Sequence, residues 1–394
     1  MLPENMLALG ESRSVIREIF EYGMKRRGEI GADNVYDFSL GNPSVPAPKK
    51  VGDTIAKLLQ EEDSTVIHAY SSTTGNLSAR AAAAKQESMR AGRDIPADCI
   101  YMSCGAAASL TISLRAMLCP GEKVVLLAPF FPEYVPFCQS AGAEVIIVPP
   151  VDSSMQPDLE LFRAAVAQGA KAVIINSPNN PSGAIYSEET LTKIADILRA
   201  QEEANGSPIY LIADEPYREL VYGDAKVPFI PNIYADSVVC YSYSKSLSLP
   251  GERIGYIMVN PEAADSRRLY NAIVGAGRSM GYVCAPSLFQ RVIAECADER
   301  PDLKAYETNR NLLYGALTEY GFECVRPDGA FYLFLKVPGG NASEFCEKAK
   351  KFELLLVPSD SFGMGGYVRI AYCVSEKTIR DSLPSFRKLA EECL

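Results

Sequence analysis

The sequence predicts an α/β fold: a mainly parallel sheet covered by helices on both faces, joined to a smaller α+β region. Three observations carry this expectation. From about residue 98 to residue 259, short apolar runs alternate with helical patterns. Those runs are largely continuous in hydrophobicity, as strands buried on both faces must be. After about residue 281 the pattern changes to a long helix, three strand-like runs and a final helix. A chain of 394 residues is long enough for a large domain and a smaller one. The expected division is a mixed N-terminal segment at residues 1–45, a large domain at 46–280 and a small one at 281–394.

Taken in order, Ser12 to Arg27 places Val15, Ile16, Ile19, Phe20 and Met24 at helical spacing. Val35–Leu40 reads as a strand that stops at the turn Gly41-Asn42-Pro43. Val51–Leu59 and the alanine-rich Leu77–Arg90 read as helices on either side of a polar loop, Ser71–Gly75. The strands of the predicted sheet are Ile100–Ser103, Val124–Ala128, Glu144–Val148, Ala172–Asn176, Ile209–Ala213, Val238–Tyr241 and Ile254–Val259. Helical patterns such as Ala106–Leu118, Leu159–Ala167 and Glu188–Ala204 separate most of them. The later region offers a helix at Asp302–Tyr320, strands at Phe331–Val337, Leu354–Val357 and Tyr367–Tyr372, and a helix at Thr378–Glu391.

Composition narrows the function. A formal net charge of −10 argues against nonspecific nucleic-acid binding. No run reaches eighteen uninterrupted apolar residues and the first ten residues lack a signal-peptide pattern, so no membrane span is expected. Eleven cysteines without a CxxC pair suit reduced thiols in a cytoplasmic protein. His68 is the only histidine, which excludes a multi-histidine metal site and makes a Ser-His-Asp triad depend on that one residue. Acid–base work near neutral pH must then come from a tuned lysine, carboxylate, tyrosine or a cofactor.

The stretch Ser242-Tyr243-Ser244-Lys245, with Arg253 eight residues beyond the lysine, follows a buried strand. A lysine in apolar surroundings beside another cation has its charged form penalised. Its amine becomes a nucleophile and base able to bond a carbonyl, and the hydroxyls and Arg253 suit a phosphate. Lys245 is therefore the candidate attachment point for pyridoxal phosphate. Three other strand ends carry matching chemistry. Gly105-Ala106-Ala107 opens a helix whose N–H groups can approach an anion. Asn176-Ser177-Pro178-Asn179-Asn180-Pro181-Ser182-Gly183 is a proline-stiffened turn whose asparagine can donate to a phenolate oxygen. Asp214-Glu215-Pro216-Tyr217 offers a carboxylate that serves either as a helix cap or as partner to a protonated pyridine nitrogen.

In combination these residues resemble the fold type I, class I/II aminotransferases, over nearly the whole chain from Gly41-Asn42-Pro43 to Arg369. The resemblance implies a large domain with a seven-stranded, mostly parallel sheet, and a small domain that combines the N-terminal segment with the C-terminal third. It implies that Lys245 is the Schiff-base lysine and proton shuttle. Asp214 would hold the pyridinium nitrogen, and Asn180 and Tyr217 the ring oxygen. Ser242, Arg253 and the amides of Ala106 and Ala107 would hold the phosphate. Phe131, in Pro129-Phe130-Phe131-Pro132, would stack on the ring, with a core aromatic as the alternative. Arg369 would grip the substrate α-carboxylate, with the Gly41 backbone lining the same place. Tyr70 would reach the phosphate of a partner subunit, which implies a homodimer with shared sites. The implied substrates are an L-amino acid and a 2-oxo acid, exchanged by ping-pong chemistry.

One departure concerns the donor. Some bacterial aspartate-using members carry a lysine where this chain has Ala107. Arg278 lies where other members place an arginine that crosses to the partner's site, with an exposed loop arginine as the alternative. Other activities of the same cofactor, including C–S lyase chemistry, share these residues. A non-catalytic ligand-sensing module would need a DNA-binding segment that the chain does not show. A nicotinamide dehydrogenase lacks its glycine fingerprint.

Overall fold

The computed structural model describes residues 2–11 and 14–394. The first long helix runs Val15–Ile30; the first two positions of the helical pattern expected from Ser12, Ser12 and Arg13, lie outside the described residues. The strands in chain order are β1 (Tyr36–Asp37), β2 (Ile100–Ser103), β3 (Lys123–Leu127), β4 (Glu144–Val148), β5 (Ala170–Asn176), β6 (Tyr210–Asp214) and β7 (Ser237–Ser242). They continue with β8 (Gly255–Val259), β9 (Cys324–Val325), β10 (Tyr332–Lys336), β11 (Leu354–Leu355), β12 (Val357–Pro358) and β13 (Tyr367–Ala371).

A seven-stranded sheet has the order β2-β8-β7-β6-β5-β3-β4. All its pairings are parallel except those of β8, which runs against both β2 and β7. Each of its strands lies where a strand was expected, within two residues at either end. The reason is compositional: runs such as Val124–Leu127 and Val238–Tyr241 are buried throughout, and each buried Val or Leu side chain contributes about 1.5–3 kcal/mol. Helices Leu77–Ala91, Glu188–Asn205 and Ser287–Cys296 supply apolar residues to the core on one face. Helices Ala106–Met117 and Ser266–Ser279 do so on the other.

The reversal of β8 positions the site. The carboxyl ends of β5, β6 and β7 fall on one edge, where ligands sit in open α/β sheets. Because β8 is antiparallel, its start lies at that edge: Gly255 pairs with Ser242 and with Ser103. Arg253 and the Gly105 turn are thereby brought to the same place.

A second sheet has the order β12-β13-β10-β9 and is antiparallel throughout. Helices Lys304–Glu319, Ala342–Lys350 and Glu376–Cys393 pack with it into a separate core. The strand expected at Val35–Leu40 is only Tyr36–Asp37, paired parallel to Leu354–Leu355. The one expected at Leu354–Val357 is split between two sheets, as β11 and β12. Both shortfalls have one cause: only part of each run finds a backbone partner. Ile19 and Val35 pack with Leu355, Val357 and Phe362, which joins the N-terminal segment to this region.

Candidate active site

A cavity of about 280 Å³ opens at the strand-end edge. Lys245 lines it from the four-residue helix Tyr243–Ser246, which begins where β7 ends. Ser242 caps that helix by accepting from the Ser244 N–H at 3.2 Å, so the turn that presents the lysine is held by its own sequence. Lys245 Nζ donates to the Gly41 carbonyl at 2.5 Å and lies 5.3 Å from the Phe331 ring centroid. Burial pushes its pKa down to about 8; Arg369 and Arg253 act in the same direction, against Cys373.

Asp214, the last residue of β6, faces the same cavity and is buried. Tyr134 donates to its Oδ2, while Oδ1 is buried with no partner. Burial raises its pKa to about 7, with Glu215 adding to the rise and the Tyr134 hydrogen bond opposing it. An orphaned carboxylate oxygen of this kind needs a donor such as a protonated ring nitrogen. Next to it, Asn176 pairs in register with Asp214 and donates to its main-chain carbonyl at 2.9 Å. Asn176 Oδ1 also accepts from the Asn180 N–H at 2.7 Å, which fixes the Asn180 turn against the strand end.

Tyr217 is buried, and its hydroxyl lies 3.0 Å from that of Tyr332. Phe131 lines the cavity, edge-on to Tyr134 at 5.7 Å between centroids. Ala106 and Ala107 open helix Ala106–Met117 and line it too. Gly105, at φ +85°, precedes them; a Cβ there would sit 2.8 Å from Arg253 Nη2. The glycine thus permits the guanidinium to approach the helix N-terminus. Arg253 itself holds a left-handed backbone, φ 51°, and its Nη1 donates to the Pro250 carbonyl at 2.9 Å. A guanidinium, a helix N-terminus and the hydroxyls of Ser242 and Ser244 form an anion-binding donor set.

The opposing wall comes from the second sheet. Arg369 on β13 is buried; its Nη1 donates to Asn180 Oδ1 at 3.1 Å and its Nη2 to the Ser39 carbonyl at 2.5 Å. Its guanidinium lies 4.8 Å from the Tyr332 ring centroid and 5.2 Å from that of Phe362. Gly41 is without a side chain because a Cβ would collide with the Tyr332 hydroxyl.

The cavity therefore brings together Lys245, Asp214, Asn180, Tyr217, Ser242, Arg253, Ala106, Ala107, Phe131, Gly41 and Arg369. Two candidates lie outside it. Tyr70 is 87% exposed. Arg278 is exposed in the last turn of helix Ser266–Ser279, not in a loop. His68 is exposed and also absent from the cavity. Sequence reasoning missed the parts played by Tyr134 and Tyr332. Tyr134 stands three residues after Phe131, in the segment already singled out. Tyr332 sits in a run buried on both faces, where alternation gives no clue to which side chain meets a ligand.

Fold and cavity together define an enzyme built around a half-buried, partly neutral lysine at the strand ends of an α/β domain. The family model for aminotransferase class I and II matches residues 33–384, and the chain belongs to that family. It is an aminotransferase. A crystal structure of an amino transferase from Eubacterium rectale is 49% identical with a TM-score of 0.97, covering 100% of this chain and 99% of that one. An aspartate aminotransferase from Thermotoga maritima is 29% identical over 384 residues, 94% of this chain and 97% of its own. Aromatic-amino-acid aminotransferase 2 from Thermococcus litoralis is 26% identical over 392 residues, 96% of each chain.

Proposed function

We propose that the cavity holds pyridoxal phosphate and that the chain moves an amino group from an L-amino acid to a 2-oxo acid by a ping-pong route. One observation carries this reading: an amine pushed toward neutrality shares a cavity with a buried carboxylate, one oxygen of which lacks a donor. Asp214 would take the ring nitrogen, Asn180 and Tyr217 the ring oxygen, and Phe131 the ring face. Ser242, Arg253 and the amides of Ala106 and Ala107 would take the phosphate. When bound, the cofactor supplies an aldehyde for the amino group and a ring that accepts the electron pair left by a departing proton.

The chain's own residues do the rest. Arg369 binds the α-carboxylate and turns the substrate so that its Cα–H faces Lys245. Lys245 Nζ takes the proton from Cα, acting as general base. Asp214, ionised against a cationic ring, keeps that ring able to accept charge. Borohydride reduction of the loaded protein, followed by peptide mass spectrometry, should place a pyridoxyl adduct on Lys245. An adduct elsewhere, or none, overturns the reading.

Relatives named for aspartate and for aromatic amino acids support donors of both types. Ala107 offers no cation for a second carboxylate, so a dicarboxylate needs Arg278 from a second copy of the chain. An Arg278→Ala variant that keeps its kcat/KM ratio for aspartate over phenylalanine removes that role. A homodimer with Tyr70 at the neighbouring site is supported by exposed apolar side chains, among them Tyr70, Val66 and Val283. A large domain that reaches Ala297 is supported by Val292, Ile293, Cys296 and Ala297, which share the core of the seven-stranded sheet. No helix among the described residues is long and apolar enough to cross a membrane. A cytoplasmic setting is supported by eleven cysteines that are all free.

A further inference from the structure

Behind the cavity lies a second group of charges that no step above uses. Glu87 and Arg90 come from helix Leu77–Ala91, and Glu215 and Arg218 follow the end of β6. Arg218 Nη1 lies 2.6 Å from Glu87 Oε1 and 3.3 Å from Glu215 Oε2. Arg90 Nη1 lies 2.6 Å from Glu215 Oε2. Arg218 Nη2 donates to the Tyr256 hydroxyl at 2.9 Å, and Tyr256 donates to Glu87. The Arg218 guanidinium also lies 3.8 Å from the centroid of the Tyr241 ring, and its Nε lies 3.1 Å from Glu219 Oε1. The Tyr241 hydroxyl is 2.8 Å from that same oxygen and 2.7 Å from Ser246 Oγ. Glu87, Glu215 and Arg218 are all buried, and the penalty of burying Glu87, the largest influence on it, is outweighed by Arg218, Arg90 and the Tyr256 hydrogen bond together, which keeps it ionised.

Three times a cavity residue is followed directly by a residue of this cluster: Asp214 by Glu215, Tyr217 by Arg218, and Lys245 by Ser246. Two short segments, one at the end of β6 and one in the helix Tyr243–Ser246, thus each carry chemistry on one side and an anchor on the other. Stability alone does not call for such an arrangement, because well-packed apolar residues can replace buried ion pairs without loss. Aiming three side chains from two separate segments does call for it, since small misplacements of reacting groups slow catalysis steeply.

We propose that the Arg218-centred cluster is a positioning element, which holds Asp214, Tyr217 and Lys245 in mutual register from behind. The inference rests on the reading that the cavity holds pyridoxal phosphate. Arg218 does not line the cavity, so it acts only through its neighbours. Arg218→Lys keeps the charge but loses the planar fork that reaches Glu87, Glu215 and Tyr256 together. Tyr241→Phe keeps the ring and loses only the hydroxyl between Glu219 and Ser246.

The test loads wild type and both variants with pyridoxal phosphate. It records thermal melting, visible circular dichroism of the bound cofactor, and kcat and KM for the donor. The expected result, in whichever variant melts within a few degrees of wild type, is a kcat lowered at least tenfold. KM should change less than threefold, and the visible dichroic band should lose amplitude. Unchanged kcat and dichroism in such a variant would overturn the proposal and leave the cofactor reading intact. So would variants that only lose melting temperature. A wild-type chain with no visible band would overturn both.

Discussion

The two walls of the cavity are built differently. One is made of neighbouring strand ends of the large sheet, where Asp214 ends an apolar strand and Lys245 and Asn180 lie within four residues of the ends of two others. The other is assembled from positions far apart in the chain, with Gly41, Tyr332 and Arg369 meeting across the second sheet. The first wall holds groups whose proton affinity is displaced by burial, Lys245 downward and Asp214 upward. The second holds a guanidinium whose proton affinity burial also lowers, but from so high a starting point that it stays charged near neutral pH, aimed by its neighbours. The difference separates chemistry from substrate handling. Damage to the strand-end wall should be read in kcat, and damage to the opposing wall chiefly in KM.

The largest effect belongs to Lys245. Lys245→Ala removes the base and the covalent attachment together, so turnover should fall by at least about 10²–10⁴-fold. Near-normal kcat in that variant would erase the contrast between the walls. Asp214→Ala should follow, losing about 10²-fold or more in kcat because the ring's charge is no longer held. If KM alone rises, the pairing of Asp214 with the ring nitrogen is wrong.

Arg369→Lys tests the other wall. A lysine cannot make two parallel hydrogen bonds to a carboxylate, and loss of a charged hydrogen bond costs roughly 1.5–3 kcal/mol. KM for the donor should rise about tenfold to a hundredfold, with a smaller change in kcat. The reverse split would place Arg369 among the chemical groups.

The amine of Lys245 also predicts a pH dependence. With a pKa near 8, most of it is protonated at pH 7 and most is neutral at pH 9. Only the neutral form attacks an aldehyde, so capture of pyridoxal phosphate by cofactor-free protein should speed up about tenfold between those pH values and then level off. Stopped-flow absorbance can follow it. A rate still climbing steadily at pH 10 would describe an ordinary lysine and dissolve the electrostatic difference between the walls.

The same contrast decides what could be read from the amino-acid order. The strand-end wall was legible because each functional group sits beside an uninterrupted apolar run, and the run announces both the strand and its end. Val238–Tyr241 before Ser242 and Lys245 is the clearest instance. The seven-stranded sheet was legible for the same reason. Pairing partners were not: nothing local to β8 says that it runs backward, yet that reversal is what delivers Arg253. In the second sheet, β9 is two residues long, too short for any periodicity to register, and nothing local says that the run Leu354–Val357 is shared between two sheets. Arg369 was found through the family resemblance, not through its surroundings. The Arg218 cluster escaped because Glu87, on an alanine-rich helix, reads as a solvated charge. Its partner lies 131 residues away.

Tyr332 offers the finest test of the divided cavity, because it touches both walls. Its hydroxyl lies 3.0 Å from that of Tyr217, and its ring lies 4.8 Å from the Arg369 guanidinium. Tyr332→Phe leaves the ring, and so the contact with Arg369, while the Tyr217 hydroxyl loses a buried neighbour. A neutral hydrogen bond contributes about 0.5–1.5 kcal/mol, so the expected loss is only about twofold to tenfold. It should fall on kcat, through Tyr217, with KM for the donor nearly unchanged. Tyr332→Leu removes the ring as well, and should add a rise in KM as Arg369 loses the surface it lies against. Steady-state kinetics on the two variants separate the contributions. If Tyr332→Phe raised KM and spared kcat, the hydroxyl would belong with Arg369, and the boundary between chemistry and substrate handling would run through Tyr217 instead.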